Sequence, residues 1–293
     1  MLDLYSIVMF AHNEETNIRQ SVVSALKAAD DGLRTLYVIA NGCTDKTNQV
    51  IIDLISEGNT KLQLVELEFG DKCNAWNHYV HNLANTNIPV HFFVDADVRF
   101  IKGSFQRMSQ TLLNSEVANA VAGLPFSGRN QQQYLDLVKN GRCLFGNCYA
   151  VKNDFIKKIR KQGFHLPIGL GWIDSAITKI INRDLESIPN PKEGRIVFDK
   201  DSGYSFDSLS IFSKADRKLY ISRIIRYRLG KYQEKYLEKI PFLAWPKVLY
   251  EINLQVMQDI KNEKAWFNIV DRIFVVKRII KQNKKLKEVA IVS

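Results

Sequence analysis

Four short apolar runs, separated by amphipathic stretches of helical period, fill the first hundred residues and leave few folds open to the chain. Leu4–Phe10, Thr35–Ala40, Lys61–Leu67 and Val90–Val94 read as buried strands. Between them the spacing predicts a helix over Thr16–Ala29, one that Thr44 or Asp45 could cap, and one from Gly70-Asp71 to about Ala84. Parallel strands need a crossover between them, so this alternation predicts a mostly parallel sheet with helices on both faces. Ligands of such sheets sit beyond the carboxyl ends of the strands. The polar loops 11–14, 41–45, 70–74 and 95–99 all fall at that end.

After Val98 the pattern changes. Ala118–Leu124 and Cys148–Val151 read as strands, Gln131–Lys139 and Asn153–Lys161 as helices. A Gly/Pro-containing loop, Gly163 to Gly171, leads to Trp172-Ile173-Asp174, where a helix through Ile181 begins, and Ile196–Phe198 is a short strand. Helical periodicity dominates from Ser213, broken at Pro241 and Pro246. The expected division is a nucleotide-binding and catalytic unit over 1–212 and a basic helical region over 213–293.

With 46% hydrophobic residues in 293, the chain can bury a full core. No run of 18 uncharged apolar residues predicts a membrane span, and the first strand starts too near Met1 to leave room for a signal peptide. Cys43, Cys73, Cys143 and Cys148 form no C-x-x-C pair, so reduced buried thiols and a cytoplasmic location are expected. The net charge of +10 is uneven. Residues 213–239 carry nine Lys/Arg against three Asp/Glu, residues 264–287 eight against one, and the remainder is slightly acidic. A basic C-terminal third suits an anionic partner such as nucleotide phosphates or lipid headgroups, or is a solvated face.

The run His91-Phe92-Phe93-Val94 ends in Asp95-Ala96-Asp97. Strand alternation puts Asp95 and Asp97 on one side, where two carboxylates repel unless a cation joins them. Oxygen-only ligation suits Mg²⁺ or Mn²⁺, which complete their shell with water and phosphate oxygens. The alternative is a pair of turn or capping aspartates.

Six segments in order resemble the family 2 glycosyltransferases, which have the GT-A fold. Ser6–Glu15 looks like the family's opening strand and P-A-Y-N-E-E loop, and Val38–Asp45 like its V-D-D-G-S-T-D segment. Lys72-Cys73-Asn74-Ala75-Trp76-Asn77 resembles K-x-x-A-x-N, and Asp95-Ala96-Asp97 is similar to D-x-D. Gly146-Asn147, Gly163-Phe164 and Ile173-Asp174 resemble the acceptor region. Arg223–Tyr227 with Gly230 and Gln233 resembles Q-x-x-R-W…G-x-x-Q.

The resemblance implies a Rossmann-like GT-A domain with a C-terminal helical extension. It also implies metal-dependent, inverting transfer of a sugar from a nucleotide-diphosphate donor, UDP being commonest, to a hydroxyl acceptor. Around the donor it places Ala11, Asn13, Glu14, Asn41, Lys72, Asp95, Ala96, Asp97, Arg223, Arg226 and Tyr227, with Asp95 and Asp97 holding Mn²⁺ or Mg²⁺. Asn13 or Glu14 could instead cap the next helix. Ala40 and Asn41 replace the aspartates expected to read the base. Lys72, at a helix start, suits a diphosphate. Asp174 is the expected general base, with a helix N-cap as its alternative, and Ile173 replaces the usual glutamate before it. Arg223 and Arg226 share a helix face, Tyr227 could stack on the acceptor, and Arg228 and Lys231 read as a solvated face.

Trp266, Ile269, Val270, Ile273, Val276 and Ile280 recur at helical spacing among lysines and arginines. This stripe suits an anionic membrane at the inner face of the cell membrane, the protein's own core, or a second subunit. The acceptor expected is a saccharide or lipid-linked, in cell-surface polysaccharide or glycolipid synthesis. Nucleic acid is not expected, because exposed basic and aromatic residues are not interleaved. No histidine follows residue 165, which rules out a C-terminal histidine ligand. Two other functions share this outline: a sugar-phosphate nucleotidyltransferase, whose Gly-rich basic loop the chain lacks after its first strand, and a non-catalytic basic binding subunit.

Overall fold

The computed structural model describes residues 4–128, 131–140, 143–187, 190–207, 212–262 and 271–292. The first half runs β1 (Tyr5–Ala11), α1 (Ile18–Ala28), β2 (Leu33–Asn41), α2 (Thr47–Ser56), β3 (Leu62–Leu67), α3 (Lys72–His78) and β4 (Val90–Asp95). It continues through β5 (Val98–Phe100), α4 (Ser104–Leu113), β6 (Ala120–Pro125), α5 (Gln131–Lys139), β7 (Cys148–Lys152), α6 (Asn153–Gln162), α7 (Ile173–Asn182) and β8 (Ile196–Phe206). The C-terminal helices are α8 (Lys214–Leu237), α9 (Tyr250–Asn262) and α10 (Val276–Val292). The eight strands lie in the order β3-β2-β1-β4-β7-β6-β8-β5. β3, β2, β1 and β4 are parallel, and β7 joins β4 and β6 antiparallel.

Every residue of β1 is buried because the pleat feeds two cores at once. Ile7 and Met9 meet Ile18 and Val22 of α1 and Phe105 and Met108 of α4 on one face. Val8 and Phe10 meet Trp76, Phe93 and Tyr149 on the other. Trp76 stacks on Phe93 at 5.9 Å, and its Nε1–H donates to Tyr149 Oη at 3.1 Å. The expected sheet with helices on both faces is therefore present.

Several elements depart from the sequence expectations. Helix α4 and strand β5 were not anticipated, and β8 extends eight residues beyond the expected Phe198. Its polar middle, with Lys200 and Asp201 exposed, reads as a turn, yet the backbone continues because β6 and β5 both pair with it. The third expected helix changes at Tyr79–Leu83 into a π turn. Asp45 does serve α2, accepting the Thr47 N–H at 3.0 Å. Of the four free thiols, Cys73 and Cys148 are buried but Cys43 and Cys143 are only partly so.

The tail periodicity pointed to a different face. Trp266, Ile269 and Val270 lie outside the described residues. Val276 is buried, but Ile273 and Ile280 are 54% and 49% exposed. The residues of this region that pack inward are Val275, Val276 and Ile279, against Leu229 of α8 and Val256 and Ile260 of α9. This part of the tail covers the protein's own helical core. Arg228, expected on a solvated face, instead pairs with Asp271 at 2.8 Å, and Tyr232 Oη donates to the same carboxylate. Both contacts fasten α8 to the start of the last helix.

Two contacts dock α8 onto the sheet domain. A Cβ on Gly230 would lie 2.5 Å from Trp172 Cβ, and one on Gly171 2.7 Å from the Arg226 carbonyl, so only paired glycines allow this approach. Below them the buried Gln233 carboxamide accepts from Gly171 N–H (2.8 Å) and donates to the Gly169 carbonyl (3.0 Å) and Asn253 Oδ1 (2.8 Å). Asn253 in turn donates to Asn283 Oδ1 at 2.9 Å, so one amide chain joins α8, α9 and α10. Among the described residues no helix is long and apolar enough to cross a membrane.

Candidate active site

At the carboxyl ends of β1, β2 and β4 the predicted loops interlock. The His12 ring bonds through Nδ1 to the Asn41 carbonyl at 2.7 Å, and Asn13, at a φ of 57°, accepts the Thr44 N–H on Oδ1 at 2.7 Å. Asn13 therefore braces the neighbouring loop rather than capping α1. Asn41 is 5% exposed, and its Oδ1 accepts the Asp71 N–H at 3.0 Å. Asp71 caps α3 through the N–H groups of Cys73 and Asn74 and receives the Gly169 N–H at 3.0 Å. Ala11 is buried at the end of β1.

Strand β4 ends at Asp95, so Ala96 and Asp97 belong to a turn and not to the pleat that suggested their common side. Ser21 Oγ, held by Arg99, donates to the Ala96 carbonyl at 2.6 Å and fixes that turn. The two carboxylates still act on one another. Burial pushes the Asp97 carboxyl up, Asp95 adds to this, and Arg223 and Lys72 oppose it. Arg223 lies 3.6 Å from Asp97. Glu14 shares the field: burial raises its carboxyl, Asn17 lowers it, and Asp97 and Asp95 raise it further.

Lys72, the first residue of α3, pairs with Asp95. Gly146 is the point on which the site converges. A Cβ there would lie 2.7 Å from Lys72 Nζ, 2.9 Å from Asp174 Oδ1 and 3.4 Å from Asp95 Oδ2. Burial works against the Lys72 charge, but Asp95 and Asp174 outweigh it and hold the ammonium above its ordinary value. Asp174 stands in the first turn of α7 after Trp172 at the N-cap, so it is not the cap itself. Burial moves its carboxyl upward, against Lys72, the Gly146 N–H and Arg226, which favour the anion. Thr178 ties the parts together, donating to the Asp174 carbonyl at 2.7 Å and accepting the Leu144 N–H at 2.8 Å.

The residues fit a divalent cation in one specific way. Asp95 and Asp97 offer hard oxygen donors, with Lys72 and Arg223 as their cationic neighbours in this structure. No group of three His, Cys, Asp or Glu side chains suited to a metal occurs among the described residues. Two carboxylates with water and diphosphate oxygens match Mg²⁺ or Mn²⁺ better than a closed protein cage would.

Of an aromatic rim, the sequence reading named only Tyr227. Tyr227 lies 6.3 Å from Trp172 between ring centroids, Arg226 sits over the Tyr227 ring, and Lys231 over Trp172. Tyr134 of α5 packs edge-on against Phe145 at 4.7 Å, near Tyr227 and the Arg223 charge. Trp172 adjoins Asp174, which was the one available signal; nothing local marks Tyr134. Lys72, Asp95 and Asp174 thus meet directly, Asp97 and Arg223 sit beside them, and Tyr227 stands at the rim. Asn13, Asn41 and Ala11 form the scaffold behind.

The model of glycosyl transferase family 2 matches residues 6–171. The chain belongs to this family. Solved structures with the same GT-A fold include the mannosyltransferase PcManGT of Pyrobaculum calidifontis, in complex with GDP-Man and Mn²⁺. It is 14% identical, with a TM-score of 0.59 over 98% of this chain and 86% of that one. Staphylococcus aureus TarS in complex with UDP-GlcNAc is 13% identical, with a TM-score of 0.54 over 95% and 72%. Glucosyl-3-phosphoglycerate synthase of Mycobacterium tuberculosis with Mn²⁺ and UDP-glucose is 18% identical, with a TM-score of 0.51 over 76% and 78%. No curated protein matches the chain. Family membership sets aside the nucleotidyltransferase and the non-catalytic subunit as readings of this glycosyltransferase.

Proposed function

We propose that this glycosyltransferase moves a sugar, with inversion, from a nucleotide-diphosphate donor to a hydroxyl acceptor in a metal-dependent reaction. The observation that carries the reading is the convergence of Asp95 and Asp174 on Gly146, with Asp97 one turn residue beyond. The acceptor oxygen bonds to the anomeric carbon as its proton passes to Asp174, and the bond to the leaving diphosphate breaks with its electron pair on the phosphate oxygen. An anion is required at Asp174, and Lys72 beside it favours that form. Asp95 and Asp97 would hold Mn²⁺ or Mg²⁺, which supplies positive charge to the departing diphosphate. Arg223 and Arg226 add to that charge, and Tyr227 with Trp172 offers ring faces to a sugar.

The proposed donor is a UDP-sugar, as in the TarS and phosphoglycerate synthase complexes, although PcManGT holds GDP-Man. The acceptor we propose is a saccharide or lipid-linked group of cell-surface polysaccharide or glycolipid synthesis, met at an anionic membrane surface. Leu219 and Ile221 of α8, 45% and 52% exposed, stand among the exposed Lys214 and Lys218, a pairing that suits such a surface.

Thermal stabilisation by a set of nucleotide sugars, with Mn²⁺ and then with EDTA, tests the reading. Stabilisation by UDP or UDP-sugars that disappears with EDTA is the expected result. Equal stabilisation in EDTA would remove the metal from the account.

A further inference from the structure

The seam between α8 and α10 sets Arg278, outside the expected donor-site set, beside the part of α8 that carries Arg226, which belongs to it. Arg278 Nη1 donates to Ser222 Oγ at 3.4 Å. Ser222 and Arg226 are four residues apart on α8 and so share the face that meets α10, along with buried Leu229 and Gln233. On α10 the row Arg278, Gln282, Leu286 faces the 163–171 loop: Gln282 Nε2 donates to the Gly169 carbonyl at 2.7 Å, and Leu286 packs against Gly169. The Arg278 guanidinium therefore lies at Ser222, one helical turn from Arg226, beside the loop that leads to Asp174.

Their neighbours on α8 are neutralised, Arg223 by Asp97 and Arg228 by Asp271. Among the described residues neither Arg226 nor Arg278 forms an ion pair, and Arg226 Nε is buried with no hydrogen-bond partner. Burial first, then the Arg226 charge, hold the Arg278 guanidinium below its ordinary value, so the two groups repel one another. The Arg226 charge also acts on Lys72 and Asp174, which sets Arg226 at the edge of the crevice. Like charges left without counter-ions and a buried unused donor are what an anion would satisfy, and arginine forks match phosphate oxygens.

We propose that Arg226 and Arg278, with Ser222 beside them, form a subsite for a phosphate group. The phosphate is either the donor's diphosphate or one carried by the acceptor. The existence of the subsite stands on the seam itself; only the assignment of its phosphate to a substrate rests on the transferase reading. Arg278 then belongs to the site although it lies far outside the region that carries the family motifs.

Inorganic phosphate is the probe, titrated calorimetrically into the full chain at constant ionic strength against chloride. The wild type should bind it. Arg278→Leu should weaken that binding about tenfold, Arg278→Lys less, and the exposed-site control Arg272→Leu not at all. Thermal melting of each variant reports whether it is folded. Phosphate that binds together with UDP and Mn²⁺ assigns the subsite to the acceptor, and phosphate that competes with UDP assigns it to the donor. Phosphate binding no stronger than chloride, or identical in the wild type and both folded Arg278 variants, overturns the proposal. A wild type that binds phosphate through Arg278 but turns over no nucleotide sugar would instead sink the transferase reading and leave the subsite standing.

Discussion

Lys72 occupies the gap between Asp95 and Asp174, and the missing side chain at Gly146 is what gives it room. Three charges in one place divide the work of the site, and single substitutions should separate it. Asp97→Asn removes a hard oxygen ligand and should abolish Mn²⁺-dependent binding of UDP, measured calorimetrically. Asp174→Asn should bind the donor as the wild type does while kcat falls roughly 10²–10⁴-fold, the range for losing a general base. Transfer undiminished in that variant would end the base assignment. The same carboxyl is displaced upward, chiefly by burial, and the proposed base role needs its anion. Activity should therefore rise with pH through a limb above the ordinary carboxylate range and be lost on acidification sooner than for an exposed aspartate. Lys72→Met removes a charge that favours the anion, so any residual activity should show this limb at still higher pH.

At the level of single elements, burial decides two outcomes. His91 on β4 is fully buried, bonds Tyr79 Oη through Nδ1 at 2.9 Å, and is pushed down to about 4 by burial, with Arg160 nearby adding to the effect. The fold holds it neutral while the unfolded chain takes up a proton below its ordinary value. Its contribution, roughly 3 kcal/mol, is present above about pH 6.5 and lost as pH falls toward about 4. His91→Gln cannot be protonated, so its unfolding free energy should fall less steeply between those pH values in urea titrations. On α8, Gly230→Val places carbon atoms against Trp172, and the helix must lift from the sheet domain. Arg223 and Arg226 leave with it. The variant should lose transfer and melt at lower temperature, whereas Gly58→Ala, with open space around it but a φ of 94° that strains a side chain, should cost some stability and leave transfer intact.

For the molecule as a whole, the basic C-terminal third packs as helices against the 169–171 loop that precedes Asp174. Its last helix closes the core formed by Leu229, Val256 and Ile260, and the Gln233–Asn253–Asn283 amide chain registers it against the 169–171 loop. Truncation there would strip an apolar surface and cannot isolate a membrane contact. Introducing negative charge on the exposed face of α8 can. Leu219→Glu with Ile221→Glu should reduce flotation with anionic vesicles at low salt and leave the melting temperature within about 2 °C of wild type, since neither side chain is buried. Equal flotation of this variant would remove α8 as the membrane-facing surface.

Local pattern was enough to place β1 to β4, the helices between them and the loops that meet at their carboxyl ends, because burial on both faces of a parallel sheet demands continuous apolar runs. It also set Asp95 at a strand end with Asp97 just beyond, whereas Lys72 and Asp174 were expected from the family resemblance. The helical periodicity of the tail was legible too, but not which face would be covered: Val275, Val276 and Ile279 turn inward while Ile273 and Ile280 do not. A stripe of apolar residues specifies an amphipathic helix and says nothing about its partner. The pairing of Lys72 with Asp95, the space at Gly146, the rim of Tyr134, Trp172 and Tyr227, and the meeting of Arg226 with Arg278 were decided only by the tertiary structure. Each joins residues whose separation along the chain far exceeds any local period, and close packing in three dimensions selects among partners that sequence leaves equivalent.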